Sequence, residues 1–145
     1  VDHHWNPSLH PLHQEEEMTG VKCFEDLKVW QKARLFSTMV YEVTRTTAFS
    51  RDFRLTDQLR GAAISVMSNI AEGFERDGNS EFRQSCFIAK GETGEARSQL
   101  YIALDAGYLS ETQFQTMYKC ITEISAMLVG LTQYLHRTEM RGKKY

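Results

Sequence analysis

Three groupings of residues in this chain could carry chemistry: histidines near the N-terminus, carboxylates at helical spacing, and dispersed cations. His10 and His13 stand at a His-x-x-His spacing, with His3 and His4 upstream. Imidazole is the commonest metal ligand. Zinc sites, however, usually add Cys or carboxylate ligands held on an ordered scaffold, and this segment has no regular period. The reading is no metal centre and no cofactor. Glu92-x-x-Glu95 is the nearest approach to the Glu-x-x-His pairs of di-iron bundles and lacks the histidine. His136 is the remaining histidine, and one isolated imidazole cannot build a triad. Cys86 and Cys120 fall on apolar stripes and read as small core residues. A phosphate-cradling loop ending in Gly-Lys-Ser/Thr is absent, and Gly91-x-x-Gly94 lies inside a heptad, where it reads as packing. No catalytic residues are assigned, and the expected class is not an enzyme.

Two surfaces remain. Ser65, Asn69 and Glu72, spaced i, i+4, i+7 and flanked by Gln58, share one side of a helix. Such a flank could form a ligand pocket. The preferred reading is a hydrogen-bond network that sets helix register or subunit orientation. Arg60 or Arg97 would then pair with Glu72 or Glu95, because buried carboxylates need partners. The second surface would be cationic. Lys28, Lys32, Arg60, Arg76, Arg97, Arg141, Lys143 and Lys144 are candidates for phosphate contacts, with Arg34, Arg83 and Lys90 also usable. Phosphate binding requires them on one face. With 17 Lys and Arg against 19 Asp and Glu, the net charge of −2 excludes a generic polycation. No aromatic–basic interleaving of the kind found on single-strand platforms is visible along the chain.

These groups must be positioned by helices. The chain has 145 residues and 41% apolar residues, enough for one domain with a core. Its two prolines, Pro7 and Pro11, precede Gly20. Val29, Ala33, Phe36, Val40 and Val43 repeat at steps of four and three within a first helix over about 24–46. Leu59, Ala63, Val66, Ile70 and Phe74 do the same over 55–74. Phe49 to Phe53 reads as a short polar turn whose phenylalanines staple the helix ends. A third helix opens near Asn79 and keeps a heptad through Phe82, Cys86, Ala89, Thr93, Ala96, Leu100 and Ala103. It crosses Gly91 and Gly94, which are expected to admit another backbone closely. Ser110 with Gln113 forms a capping box, and Phe114, Met117, Ile121, Ile124, Leu128, Leu131 and Leu135 mark a fourth helix. The expected fold is all-α, an antiparallel up-down-up-down four-helix bundle.

The domain reading is a flexible extension at 1–22, a bundle at 23–137 and a basic tail at 138–145. Met18 could serve as a start, which would make 1–17 an upstream extension. No apolar run is long enough for a membrane span. Three widely spaced cysteines argue for a reducing cytoplasm.

The second helix carries more apolar surface than a lone bundle needs. Ile64 and Met67 extend its stripe on one side, Leu55 and Ala62 on the other, and the remaining flank collects Gln58, Ser65, Asn69 and Glu72 around Ala62. A neighbouring subunit explains this excess, so a homo-oligomer is expected. At these residues a family resemblance enters. The run from Gln58 to Gly73 (Gln-Leu-Arg-Gly-Ala-Ala-Ile-Ser-Val-Met-Ser-Asn-Ile-Ala-Glu-Gly) resembles the signature of the bacterial four-helix-bundle proteins encoded in 23S rRNA intervening sequences. Phe24 to Ala33, Glu81-Phe82, Ile88 to Gly91, Glu95, Gly107-Tyr108-Leu109 and Met127 to Leu131 resemble other parts of it. Gly61 departs from a usual arginine, and Glu92 from a common serine. The resemblance implies a cytoplasmic ring, a homopentamer. A relative, the accessory protein of diversity-generating retroelements, is a basic pentamer that binds nucleic acid and a reverse transcriptase. The expected function is therefore non-enzymatic association with RNA or ribonucleoprotein. The alternative is an oligomeric scaffold for a protein partner such as a reverse transcriptase.

Overall fold

The structure, a computed structural model, describes residues 18–142. Lys143, Lys144, the four N-terminal histidines and the start of the expected 1–22 extension lie outside the described residues. The described chain is all-helical. A 3-10 turn at Phe24–Asp26 leads into α1 (Lys28–Thr44), and a five-residue helix α2 (Thr47–Arg51) follows. Three long helices complete the chain: α3 (Phe53–Glu75), α4 (Asn79–Asp105) and α5 (Glu111–Gly142). The last continues past Arg137, and its cations Arg137 and Arg141 sit near the helix C-terminus, where the backbone dipole favours positive charge.

The apolar spacing decides which sides face inward. Val29, Ala33, Phe36 and Val40 of α1, Leu59, Ala63, Val66 and Ile70 of α3, and Cys86, Ala89, Ala96 and Leu100 of α4 are all buried. Ile121, Ile124, Leu128 and Leu131 of α5 join them in one contiguous core. α1 packs on α3 and α5, and α4 packs on α3 and α5, so the four long helices close a cycle around that core. The α4 contacts with α3 and α5 are the most extensive, which makes α4 the best-anchored helix of the four.

Local chemistry ends each helix where the apolar period breaks. Asp52 begins α3: its Oδ1 accepts from the Leu55 amide at 3.1 Å, as an N-cap does. Its Oδ2 accepts from the Tyr108 hydroxyl at 3.1 Å, tying the start of α3 to the α4–α5 turn. Between α3 and α4, Asp77 takes φ 57, a left-handed conformation that Asp tolerates. Gly78 occupies the N-cap of α4, so Asn79 is the first helical residue. α4 ends in a Schellman motif, with Tyr108 N donating to Ala103 O and Gly107 N to Leu104 O, and Gly107 at φ 78. The Ser110–Gln113 capping box is formed in both directions, at 2.9 and 3.1 Å.

Two local expectations differ from what is observed. Phe49–Phe53 is largely helical, with Phe49 fully buried against Tyr108 at 5.0 Å between ring centroids. Phe53, at the first position of α3, is 76% exposed and staples nothing. The close helix approach falls at Gly73. A Cβ there would lie 2.4 Å from Ser85 Cβ, so the absent side chain is what lets α3 and α4 touch. Gly91 and Gly94 face away from the rest of the chain, and a Cβ on either would meet nothing within 4 Å. α4 nevertheless runs through both without a break, as its heptad requires.

Candidate nucleic-acid interface

Three of the cations singled out from the sequence are already engaged. Lys32 of α1 is ion-paired with Glu123 of α5. Arg76 Nη2 meets Glu72 Oε1 at 2.8 Å, one helical turn away and largely exposed. Arg60 is held from two sides: its Nε donates to the buried Thr44 hydroxyl at 2.8 Å, and its guanidinium lies 4.5 Å from the Tyr41 ring centroid. It therefore joins α3 to α1 and pairs with neither Glu72 nor Glu95. Lys28 and Arg141 are exposed near opposite ends of the helical chain.

The polar flank of α3 is likewise resolved within its own helix. Asn69 Nδ2 donates to the Ser65 carbonyl at 2.8 Å, and Glu72 turns to Arg76. Gln58 is exposed, and Ser65 and Asn69 are half-buried. Ile64 is 46% exposed. Glu95, on α4, hydrogen-bonds with Glu92, whose carboxyl is raised above its ordinary value by burial, then by that bond and the Glu95 charge. Within one chain the six residues do not form a single network.

What the sequence reading missed is a stripe on α4. Arg83, Lys90 and Arg97 recur every seven residues, and Phe87, Gly94 and Tyr101 fall between and after them at steps of four and three. At about 100° per residue, all six lie within about 40° of one direction. The aromatic–basic interleaving that is invisible in linear order is present on the helix surface. Arg83 stacks on Phe87, with Cζ 5.3 Å from the ring centroid. Its Nε is buried without a hydrogen-bond partner. Arg83, Phe87 and Lys90 open onto a cavity of about 270 Å³ against α5, where Gln133 and His136 form part of the opposite wall. No carboxylate lines it. Farther along, Arg97 is near enough to Tyr118 for its charge to oppose the rise in that phenol's pKa caused by burial and Tyr101. Phe87 and Tyr101 remain 48% and 39% exposed.

α4 also has an outward side. Ile88, Gly91, Glu95, Ser98 and Ile102 lie within about 40° of a direction roughly 100° around from the cation stripe. Ile88 and Ile102 are 49% and 53% exposed. α4 thus carries an uncovered apolar surface of its own, besides the exposed Phe53 and Ile64 of α3, the helix on which the sequence places it.

Among the described residues, no helix is long and apolar enough to cross a membrane. No group of three or more His, Cys, Asp or Glu there could hold a metal ion. Cys86 and Cys120 are buried and Cys23 is half-buried, and none of the three is in a disulfide. The Cys120 thiol is raised by burial, with Lys32 opposing.

No curated protein matches the chain. Among solved structures, the fold matches that of a protein of unknown function from the S23 ribosomal protein family of Bacteroides thetaiotaomicron VPI-5482. The TM-score is 0.66 at 21% identity, over 72% of this chain and 95% of that one. The model of the 23S rRNA-intervening sequence protein family matches residues 25–130. With most of the helical core covered by that match, the chain belongs to the 23S rRNA-intervening sequence protein family.

Proposed function

We propose that this chain is a non-enzymatic four-helix-bundle protein that assembles into a cyclic homo-oligomer and associates with RNA or ribonucleoprotein. The observation that carries the assembly is the outward side of α4. Ile88 and Ile102 are half-exposed on it, and Gly91 between them leaves room for a second backbone. Half-exposed isoleucines on a well-anchored helix, here with Gly91, Glu95 and Ser98 between them, form a side that a neighbouring copy can cover, at about 25 cal/mol per Å² of apolar surface buried. Ile64 of α3, also half-exposed, adds to the surface available for burial. The family resemblance supports five copies. Association with RNA is supported by the unpaired cations of α4, which a ring repeats once per copy, so that weak contacts multiply.

The test has two arms. Light scattering on the full chain is expected to give about five times the 16.8 kDa chain mass. Ile88→Glu with Ile102→Glu is expected to return it to one chain at micromolar concentration. A gel-shift titration with 23S rRNA fragments at two salt concentrations is expected to show binding that weakens as salt rises. A single-chain mass for the parent protein overturns the assembly. Absence of a shift at low salt overturns the RNA association.

A further inference from the structure

We propose that the α4 stripe Arg83–Phe87–Lys90–Gly94–Arg97–Tyr101, with the Gln133–His136 wall of α5, is a track for a single-stranded polynucleotide. This rests on the nucleic-acid reading above and names the surface and the form of the ligand. Single-strand sites combine a positive groove that follows the backbone with aromatic faces on which bases stack. The stripe supplies both in alternation. Successive cations are about 10.5 Å apart along the helix axis, and the whole stripe spans about 27 Å, from a rise of 1.5 Å per residue.

Three features set these cations apart from Lys32, Arg60 and Arg76. Lys32 and Arg76 are in ion pairs and Arg60 is held by Thr44 and Tyr41, whereas Arg83, Lys90 and Arg97 are in no ion pair among the described residues. Arg83 lines a cavity together with Lys90, Gln133 and His136, a donor-rich setting for a phosphate oxygen, and its own buried Nε has no partner within the chain. The carboxylates of α4 nearest in sequence, Glu92 and Glu95, fall on the other sides of the helix by the same 100° reckoning. Gly94 bears no side chain at mid-stripe, and a Cβ there would meet nothing, so a strand can lie close to the helix. Phe87 is pre-ordered by the Arg83 guanidinium, and Tyr101 by contacts with Phe114 and Tyr118 at 5.0 and 5.7 Å. Both rings keep exposed surface, 48% and 39%, without first having to be immobilised.

The test is fluorescence anisotropy on the full chain, with fluorescein-labelled single-stranded oligo-uridine, single-stranded oligo-thymidine and a duplex of equal length. Single strands are expected to bind at least tenfold more tightly than the duplex. The RNA and DNA arms show whether the sugar matters, and binding of either supports the track. Three phosphate contacts give a log–log salt slope of about −2, or about 20-fold weaker binding between 50 and 200 mM salt. Arg83→Gln/Lys90→Gln/Arg97→Gln is expected to remove most of that slope. Phe87→Leu is expected to weaken binding about tenfold at every salt concentration with the slope unchanged, because stacking is lost and charge is kept. Arg45→Gln, on the α1 C-cap, is expected to change nothing. Thermal melts confirm that each variant folds, and Lys90→Glu alone repeats the charge test with minimal disturbance. Duplex preference, or equal binding of a poly-glutamate peptide, overturns the track. So does an undiminished slope in the triple variant, even while rRNA fragments still bind the parent protein. If the parent protein binds no polynucleotide at all, the broader RNA association fails with it.

Discussion

Gly73→Ala isolates the contact between α3 and α4. The added Cβ would sit 2.4 Å from Ser85 Cβ and 2.8 Å from Ser85 Oγ. Ordinary carbon contacts are about 3.5–4.0 Å, so the helices must part by about 1 Å there. The obstructing atom is a Cβ, fixed to the backbone, and no rotamer moves it away. Overpacking of this kind costs about 1–3 kcal/mol, and a rigid obstacle belongs at the upper end. Against it stands the helix propensity of Ala over Gly, about 1 kcal/mol. The expected net destabilisation is about 2 kcal/mol, or a melting temperature lower by about 8 °C for a chain of this size. Calorimetry and urea unfolding read it. Gly61→Ala, where the new Cβ would meet nothing, has the same propensity gain without the clash and is expected to stabilise by about 0.5–1 kcal/mol. Gly73→Ala/Ser85→Gly moves the Cβ from one helix to the other and is expected to return to within about 1 kcal/mol of the parent, a coupling of about 2 kcal/mol. A Gly73→Ala protein melting at or above the parent temperature would refute the close-approach argument. A double variant no better than the single one would do the same.

Asp52→Ala removes a cap and the Tyr108 hydrogen bond together. A loss of about 2 kcal/mol in urea unfolding is expected, about half of it recovered in Asp52→Asn, which keeps the cap. Glu92 has its carboxyl raised by burial and by Glu95. The folded state therefore holds that proton more tightly than the unfolded chain does, and the stabilisation present at acid pH is lost as pH rises through the raised value. Glu92→Gln is expected to melt higher than the parent at pH 7, with the difference vanishing near pH 3; an equal difference at both values would show that charge is not the cause. Cys23, pushed up to about 11 by hydrogen bonds with Glu25 and Asp26, holds about 100-fold less thiolate near neutral pH than a thiol at the ordinary 9.0. Alkylation at pH 8, followed site by site by mass spectrometry, is expected to be slow at Cys23 and to speed up in Asp26→Asn.

Core positions were legible because periodicity reports them directly: Val29 to Val43, Leu59 to Ile70 and Ile121 to Leu131 all face inward as their spacing predicts. The Ser110–Gln113 box was legible because both partners lie within one turn. α2 was not, since five residues are too few to show a period. Gly73 lay unnoticed inside the family signature, while Gly91 and Gly94 drew attention. Which glycine meets a neighbour depends on how helices pack, and spacing within one helix does not contain that. The cations show the same limit more sharply. Lys32, Arg60 and Arg76 look free in linear order, yet Glu123, Thr44 with Tyr41, and Glu72 engage them. Arg83, Lys90 and Arg97 carried a readable signal, their seven-residue interval, but it marks a surface only once α4 is known to be a single helix.

Asp52 accepts from Leu55 with one oxygen and from Tyr108 with the other, two groups 53 positions apart in the chain. Unwinding the first turn of α3 and loosening the α4–α5 turn are therefore not independent events: whichever opens first strips a ligand from the same carboxylate and lowers the barrier for the other. Amide exchange at Leu55 and in the Ala106–Leu109 turn is expected to follow one shared opening, giving two places distant in sequence a common clock.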